Sequence, residues 1–182
     1  MRRRVVVILS LLLLASAAEA APPKCLQSTR FQVVHMPRTG SPGSHIVVQP
    51  LRPGQNRPCM FRRWVGDFSV GGPEDTFYVL GLSGDVLVLD EGTGPARMLA
   101  FYNLATRRTS FTRSYDDEVP VKVEAGKVTF WAVTGPGEPA TCRQFKDYAA
   151  KGLGAALAQQ AVITLPDGQE ELSGPVRCIA RQ

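Results

Sequence analysis

The sequence is poor in the residues that enzymes and metalloproteins use most. It has two histidines, His35 and His45, and neither a CxxC nor an HxxxH spacing, which excludes the usual zinc motifs. It has no GxGxxG in a strand–turn–helix setting and no internal repeat, which argues against a dinucleotide-binding unit, a solenoid or a propeller. We therefore assign no metal-ligating or cofactor-binding residue and expect no cofactor.

Acidic residues are missing from the stretch between Ala20 and Asp67. Seven cations occur there without an intervening anion, namely Lys24, Arg30, Arg38, Arg52, Arg57, Arg62 and Arg63. From Asp67 onward, acidic residues outnumber basic ones. We favour an internal interpretation, in which these cations form weak surface ion pairs with the acidic remainder. The functional interpretation is an anion-binding face for a phosphorylated glycolipid, a cell-wall polyanion or a nucleic acid.

The candidate binding residues are Arg52, Arg57, Arg62, Arg63 and Trp64. In FRRWVGDF (61–68), arginines lie beside aromatic side chains, a composition that can form a stacking platform for bases or sugars. The alternative is a strand that buries its aromatic rings and extends its arginines to solvent. We favour the strand and expect no nucleic-acid partner, because no other segment resembles a nucleic-acid-binding module. An anionic envelope component is the partner that the charge pattern indicates.

Residues 1–20 predict a cleaved signal peptide. Three arginines precede the apolar run VVVILSLLLL, and Ala18-Glu19-Ala20 provides a small-x-small cleavage site. A membrane anchor is the alternative, but the apolar run is short for a span and Pro22-Pro23 follow it. The mature protein is expected to begin at Ala21, without a lipid anchor or membrane span, in the periplasm or outside the cell.

The four cysteines, Cys25, Cys59, Cys142 and Cys178, all lie in the predicted exported part. An even number of cysteines in an oxidising compartment favours two disulfides. Three connectivities are possible. We expect the local pairs Cys25–Cys59 and Cys142–Cys178, each contributing about 3–4 kcal/mol by the chain-entropy estimate; crossing pairs are the alternative.

The segment from Thr76 to Thr134 predicts an antiparallel β-meander. It begins TFYVLGL-SG-DVLVLD, two apolar runs joined by Ser83-Gly84, and further short strand-like runs follow. Both alternating sets of side chains in the first pair are apolar, so we expect this hairpin to be central and covered on both faces. In VPVKVE the alternate residues include Lys122 and Glu124, which places the later strands nearer an edge.

The flanking segments predict less regular structure. Residues 21–60 contain half of the prolines, so FQVVH and HIVVQPL are expected as short edge or connecting strands of a basic arm. After the meander, Thr141 and Gln144 fit a capping box, and apolar residues recur at helical spacing as far as GLGAAL. Gly152 and Gly154 predict a break or an end in that helix, which we expect to cover the first hairpin. A PDG turn and a last strand, PVRCIA, follow.

The predicted fold class is α+β, mainly an antiparallel β-sheet of meander type with one C-terminal helical segment. The predicted divisions are the signal peptide (1–20), a proline-rich basic arm with short strands (21–60), and a β-rich domain with the helix (61–182).

Two segments have the composition of catalytic loops. In LVLDEGTGPA, Glu91-Gly92 separates Asp90 from Thr93, so the loop matches neither the aspartic-protease DTG nor a phosphorylated-aspartate motif, and no second carboxylate loop exists. GLSGD around Ser83 lacks the final glycine of GxSxG, and a turn explains it. We assign no catalytic residue.

From Asp85 to its end the chain resembles a group of uncharacterised exported bacterial proteins. The resemblance is carried by DEGTGPARMLAFYNL, by the cysteine-led segment ending GLGAAL, and by the terminal stretch from Cys178 to Gln182. It implies export and no particular activity. Small disulfide-bonded β proteins of the envelope also include lysozyme inhibitors, although Ser83-Gly84 begins their SGxxY signature here without its tyrosine.

The expected function is that of an exported, non-catalytic envelope protein that binds an anionic or a protein partner. A small extracytoplasmic hydrolase is the first alternative, and an inhibitor of a lytic enzyme is the second.

Overall fold

The protein consists of two antiparallel β-sheets and one short helix. A computed structural model describes residues 21–94 and 96–181; the predicted signal peptide lies outside these residues. The first sheet contains β1 (Lys24–Gln27), β2 (Phe31–Pro37), β3 (Ser44–Pro50) and β4 (Phe68–Ser69). The second contains β5 (Phe77–Ser83), β6 (Val86–Glu91), β7 (Arg97–Asn103), β8 (Arg108–Tyr115), β9 (Lys122–Glu124), β10 (Lys127–Pro136), β11 (Gly154–Thr164) and β12 (Gln169–Arg181), with helix α1 (Phe145–Ala150) between β10 and β11.

The N-terminal sheet has the strand order β1-β2-β3-β4. The predicted strands FQVVH and HIVVQPL are both present, and they pair along their whole length from Phe31↔Pro50 to Pro37↔Ser44. Prolines occupy the ends of these strands, where a missing amide donor costs least. The segment expected as an arm therefore builds three strands of a sheet, and β4 joins that sheet from beyond residue 60.

The larger sheet has the order β12-β11-β10-β8-β7-β6-β5, and β9 pairs with the beginning of β10 beside β8. It curls until β5, at one edge, meets β9. Gly81 permits this close approach, because a Cβ atom there would lie 2.6 Å from the Cβ of Val123. At the same junction the Ser83 hydroxyl accepts a hydrogen bond from the Gly126 amide (2.9 Å).

Strand β6 separates two hydrophobic cores. Val86 and Val88 face the inside of the curled sheet, where Phe101 and Phe130 are buried. Leu87 and Leu89 face the opposite way and pack in a core that also contains Phe31, Val33, Ile46, Val48 and Phe68 of the N-terminal sheet, and Val70 just after β4. The prediction that this strand is covered on both faces is correct for β6.

The predicted position of the first hairpin in the sheet is only half right. Strand β6 is internal, but its partner β5 forms an edge, and Leu80 is exposed there. The outer layer is also not the one expected. The N-terminal sheet covers the hairpin, whereas α1 contacts β11 and has no buried residue.

The C-terminal helix ends earlier than the apolar periodicity predicts. It stops at Ala150, and Gly152 has a φ of +72°, so the predicted break is confirmed. GLGAAL then begins β11, because pairing with β10 and β12 supplies hydrogen bonds that outweigh helix propensity. The predicted capping box does not form, since Thr141 bonds with the backbone of Glu138.

The architecture is mainly β, with antiparallel strands throughout and a single short helix among the described residues. The predicted antiparallel β-sheet is therefore confirmed, but the helical segment is too short for the protein to be classed as α+β. Both predicted disulfides, Cys25–Cys59 and Cys142–Cys178, are present, and the crossing connectivities are excluded.

The two cores can be tested separately with Leu87→Ala and Val88→Ala. Each residue is fully buried on a different face of β6, so we expect Leu87→Ala to lower the free energy of unfolding by about 2–5 kcal/mol and Val88→Ala by about 1–3 kcal/mol. Urea denaturation would measure both, with the exposed Leu80→Ala as control. A change below about 0.5 kcal/mol at either site would mean that the corresponding face is open to solvent.

Candidate functional site

The segment between β3 and β4, residues 51–67, is called the basic loop from here on. It lies over the face of the N-terminal sheet that points away from the larger sheet. Gln32 and Gln49 on that face are buried, and each donates a hydrogen bond to the loop. The amide nitrogen Nε2 of Gln32 lies 3.2 Å from the carbonyl oxygen of Pro58, and that of Gln49 lies 3.1 Å from the carbonyl oxygen of Arg62.

Two further anchors fix the basic loop. The disulfide between Cys25 of β1 and Cys59 ties its middle to the sheet covalently. Near its end, the buried carboxylate of Asp67 accepts hydrogen bonds from Arg57 Nη1 and from the backbone amide of Trp64, both at 2.9 Å. The loop is therefore held at several points, although it contains no regular secondary structure.

A tight turn from Trp64 to Asp67 closes the basic loop. The Asp67 amide donates to the Trp64 carbonyl (3.1 Å), and Gly66 has a φ of +92°, a conformation that favours glycine at the third position of such a turn. The turn leaves Val65 at its tip, where the residue is fully exposed (102%).

The structure brings four of the five candidate binding residues together. The guanidinium carbons of Arg57 and Arg62 lie 5.3 and 5.8 Å from the Trp64 ring centroid, and Arg63 donates to the Asp67 carbonyl oxygen (3.4 Å). Arg52 is apart from this group, in a turn in which its backbone pairs with Gln55.

The favoured prediction for residues 61–68, a strand with buried aromatic rings, is wrong. Only Phe68 lies in β4 and in the core. Met60 and Phe61 are 44% and 39% exposed. This segment bonds with the Asp67 carboxylate and with the Gln49 side chain instead of with the backbone of a neighbouring strand, which explains why alternation of buried and exposed side chains fails. The exposed apolar residues escaped the sequence reading because aromatic and aliphatic residues are usually buried.

Only a minority of the seven cations between Ala20 and Asp67 form ion pairs within the described residues. Within residues 21–94 and 96–181, Arg30 pairs with Asp85 (2.5 Å) and Arg57 pairs with Asp67. No carboxylate lies within 4.0 Å of the Arg62 or Arg63 guanidinium in that part of the chain. The positive charge of the basic loop is thus concentrated on exposed groups without an acidic neighbour.

The residues discussed as catalytic have structural roles instead. Ser83 accepts the Gly126 amide, and no histidine contacts it in the described part of the chain. His35, on β2, has its pKa lowered by burial and by Lys24, its cross-strand neighbour. No group of three or more His, Cys, Asp or Glu side chains among the described residues could hold a metal ion. In the same residues, no helix is long and apolar enough to cross a membrane.

Asp90 of the DEGTG segment belongs to a polar cluster beside the core enclosed by the curled larger sheet. It forms an ion pair with Arg97, whose guanidinium lies over the ring of Tyr78. The buried Tyr115 phenol lies close to the Asp90 carboxylate. Burial raises the pKa of this phenol, and the negative charge of Asp90 and its hydrogen bond raise it further. With its carboxylate engaged by these partners, Asp90 holds β6 and β7 together.

The comparisons with known proteins found no relative. No protein-family model matches the chain, and neither a curated protein nor a solved structure matches it. The resemblance noted for the segment from Asp85 onward stays a prediction, and the argument for function rests on the site geometry.

The role of Asp67 in holding the basic loop can be tested with Asp67→Asn. The amide can still accept the Trp64 hydrogen bond but leaves Arg57 without its anion, so we expect a loss of about 1.5–3 kcal/mol in the free energy of unfolding. Asp147→Asn, at an exposed site on α1, removes the same charge and serves as the control. Equal stability of both variants would show that the ion pair does not stabilise the fold.

The raised pKa of Tyr115 predicts an alkaline limit to stability. Because the phenol ionises near pH 10 in the unfolded chain and at higher pH when folded, stability is retained below about pH 10 and falls by about 1.4 kcal/mol per pH unit above it. Tyr115→Phe should flatten this decline. Urea unfolding followed from pH 8 to pH 11 would measure the slopes, and an unchanged slope in Tyr115→Phe would contradict the assignment.

Proposed function

We propose that the protein is an exported, non-catalytic envelope protein whose basic loop binds an anionic lipid surface. One observation carries the proposal. Three exposed apolar residues, Met60, Phe61 and Val65, lie in the same anchored loop as Arg62 and Arg63. Exposed apolar residues flanked by unpaired cations are typical of surfaces that meet a membrane or another protein.

The two kinds of side chain would act on different parts of a lipid layer. Arginines near an anionic surface each contribute about 1 kcal/mol of attraction, which falls off within a Debye length. Apolar side chains add to this by entering the boundary between headgroups and acyl chains. Val65 suits that position best, because the turn holds it in solvent with no contact that insertion would break.

Anchoring of the loop supports this function. A loop that is already held by a disulfide and by Gln32 and Gln49 has less conformational freedom to lose on binding. Arg57 belongs to this support rather than to the binding surface, since it is engaged by Asp67 and lies beside Trp64. The exposed cations next to the three apolar residues are Arg62 and Arg63.

Export and lack of catalysis belong to the same proposal. The predicted signal peptide and two disulfides are both compatible with an oxidising, extracytoplasmic compartment. A hydrolase has less support, because Ser83 and Asp90 are engaged in bonds that stabilise the fold. Inhibition of a lytic enzyme is the second candidate, since the projecting turn with Val65 at its tip could enter an enzyme cleft.

Vesicle binding tests the proposed function. Flotation with vesicles of phosphatidylglycerol and phosphatidylcholine in equal parts should recover the wild-type protein at low salt and less of it at physiological salt. The double variant Arg62→Gln, Arg63→Gln should bind at least about tenfold more weakly, since it loses roughly 2 kcal/mol of attraction. The matched control, Arg143→Gln with Lys146→Gln, removes two exposed charges elsewhere and should bind like the wild type.

The apolar contribution needs its own variant. Met60→Ser with Val65→Ser keeps every charge and should weaken binding at both salt concentrations, with an unchanged melting temperature because both sites are exposed. If the Arg62→Gln, Arg63→Gln variant and its control, Arg143→Gln with Lys146→Gln, lose vesicle binding equally, a specific binding surface is contradicted. Absence of vesicle binding, together with Val65-dependent inhibition of a wall-lytic enzyme, would favour the inhibitor instead.

A further inference from the structure

A cavity of about 340 Å³ lies beside the basic loop. It opens between the β2–β3 connection, the turn after β4, and the ring of Phe61. Its volume is at the small end of the range for ligand pockets, which suits one polyol or sugar headgroup rather than a larger molecule. The polar residues that line it are Arg38, Ser41, Ser44, His45 and Ser69.

Arg38 provides a fixed positive charge at the cavity. Its guanidinium donates to the carbonyl oxygens of Gly72 (2.6 Å) and Pro73 (2.9 Å), which orient it. No carboxylate neutralises it within the part of the chain that the structure describes. The same turn contains two acidic residues, Glu74 and Asp75, and the Asp75 carboxylate accepts the Gly72 amide. An oriented guanidinium with unused donors is well suited to a phosphate group.

Ser44 provides an unpartnered polar group at the same place. The residue is only 6% exposed, it lines the cavity, and its hydroxyl makes no hydrogen bond to the described residues. Ser44 Oγ is not one of the fully buried polar atoms that lack a partner, so the hydroxyl is open to the cavity and can bond with what fills it. A ligand hydroxyl in the cavity would supply the partner, and the hydroxyls of Ser41 and Ser69, on the cavity's exposed side, could bind others.

The remaining wall of the cavity is aromatic and apolar. The Phe61 ring lies against the His45 imidazole, with centroids 5.9 Å apart and planes tilted by 50°, and Ile46 and Val70 line the interior. Such a wall excludes water from the carbon side of a ligand whose other side is hydroxylated. Arginine, hydroxyl and aromatic groups thus meet around one small volume.

We propose that this cavity binds a phosphorylated polyol, with the phosphate on Arg38 and hydroxyl groups on Ser44 and Ser69. The ligand could be free in solution or be the headgroup of a lipid such as phosphatidylglycerol, which carries the same glycerol phosphate chemistry. The inference goes beyond binding of the basic loop to a lipid surface, because a soluble compound can fill the cavity without any membrane.

Titration calorimetry with glycerol phosphate tests the cavity directly. Binding should require both halves of the ligand, so glycerol and inorganic phosphate alone should each bind at least about tenfold more weakly. Ser41 is exposed at the cavity, so Ser41→Glu should repel the phosphate and lower the affinity at least about tenfold. Its neutral counterpart Ser41→Gln, of the same shape, should retain binding. Arg38→Gln should abolish it, and Arg52→Gln, outside the cavity, should not affect it.

Three outcomes would overturn the proposal: no binding of glycerol phosphate at millimolar concentration, equal binding of inorganic phosphate, or equal binding by Ser41→Glu and Ser41→Gln. Because Arg38→Gln could unfold the turn that it orients, the Ser41 pair decides the result in that case. Vesicles identify the source of the ligand. Loss of phosphatidylglycerol vesicle binding in Ser41→Glu indicates a lipid headgroup, and unchanged vesicle binding indicates a soluble compound. The Arg62→Gln, Arg63→Gln variant should still bind glycerol phosphate, so failure of the loop and failure of the cavity are distinguishable.

Discussion

The need to cover both faces of β6 determines how the chain is folded. Leu87 and Leu89 on one face and Val86 and Val88 on the other are all buried, and leaving either pair in water would cost several kcal/mol. Curling of the larger sheet can bury only one of these two faces. The larger sheet curls to enclose the valines, and the N-terminal sheet covers the leucines. The basic loop then covers the outer face of that N-terminal sheet, so its position depends on the same requirement.

Local signals in the sequence predicted the strands and cross-links better than the layers. Apolar runs bounded by turn residues identified β2, β3 and the β5–β6 hairpin, and the preference for local over crossing cysteine pairs matched both disulfides. The layer covering the leucines was assigned to the helix, because proline density in residues 21–60 argued against strands with a central place. The stretch from Gly154 onward was also misread. Alanines at 155, 156 and 158 favour a helix in isolation, but hydrogen bonds from β10 and β12 on both sides decide the conformation there.

The sequence predicted which residue types the candidate binding site contains, but not how they are arranged. The sequence identified Arg57, Arg62, Arg63 and Trp64 as a group but could not separate the structural Arg57 from the two exposed arginines. That distinction depends on where Asp67 is buried. The cavity left no local signal at all. Arg38 and Ser44 border the β2–β3 connection, whereas Phe61 comes from the basic loop, and the hairpin register and the Cys25–Cys59 anchor bring them to one place.

The location of the two disulfides determines which parts of the fold can separate from each other by partial unfolding. Cys25–Cys59 cross-links the N-terminal sheet to its own loop, and Cys142–Cys178 cross-links the C-terminal end of the larger sheet to itself. Cohesion between the sheets is left to the leucine core and to contacts such as Arg30–Asp85 and Arg107 over Phe68. Neither disulfide crosses that interface, so each remains intact when the sheets separate. We expect partial opening to be a reversible separation of the two cross-linked sheets. Amide hydrogen exchange would then divide the chain into two protection classes, with the boundary between β4 and β5.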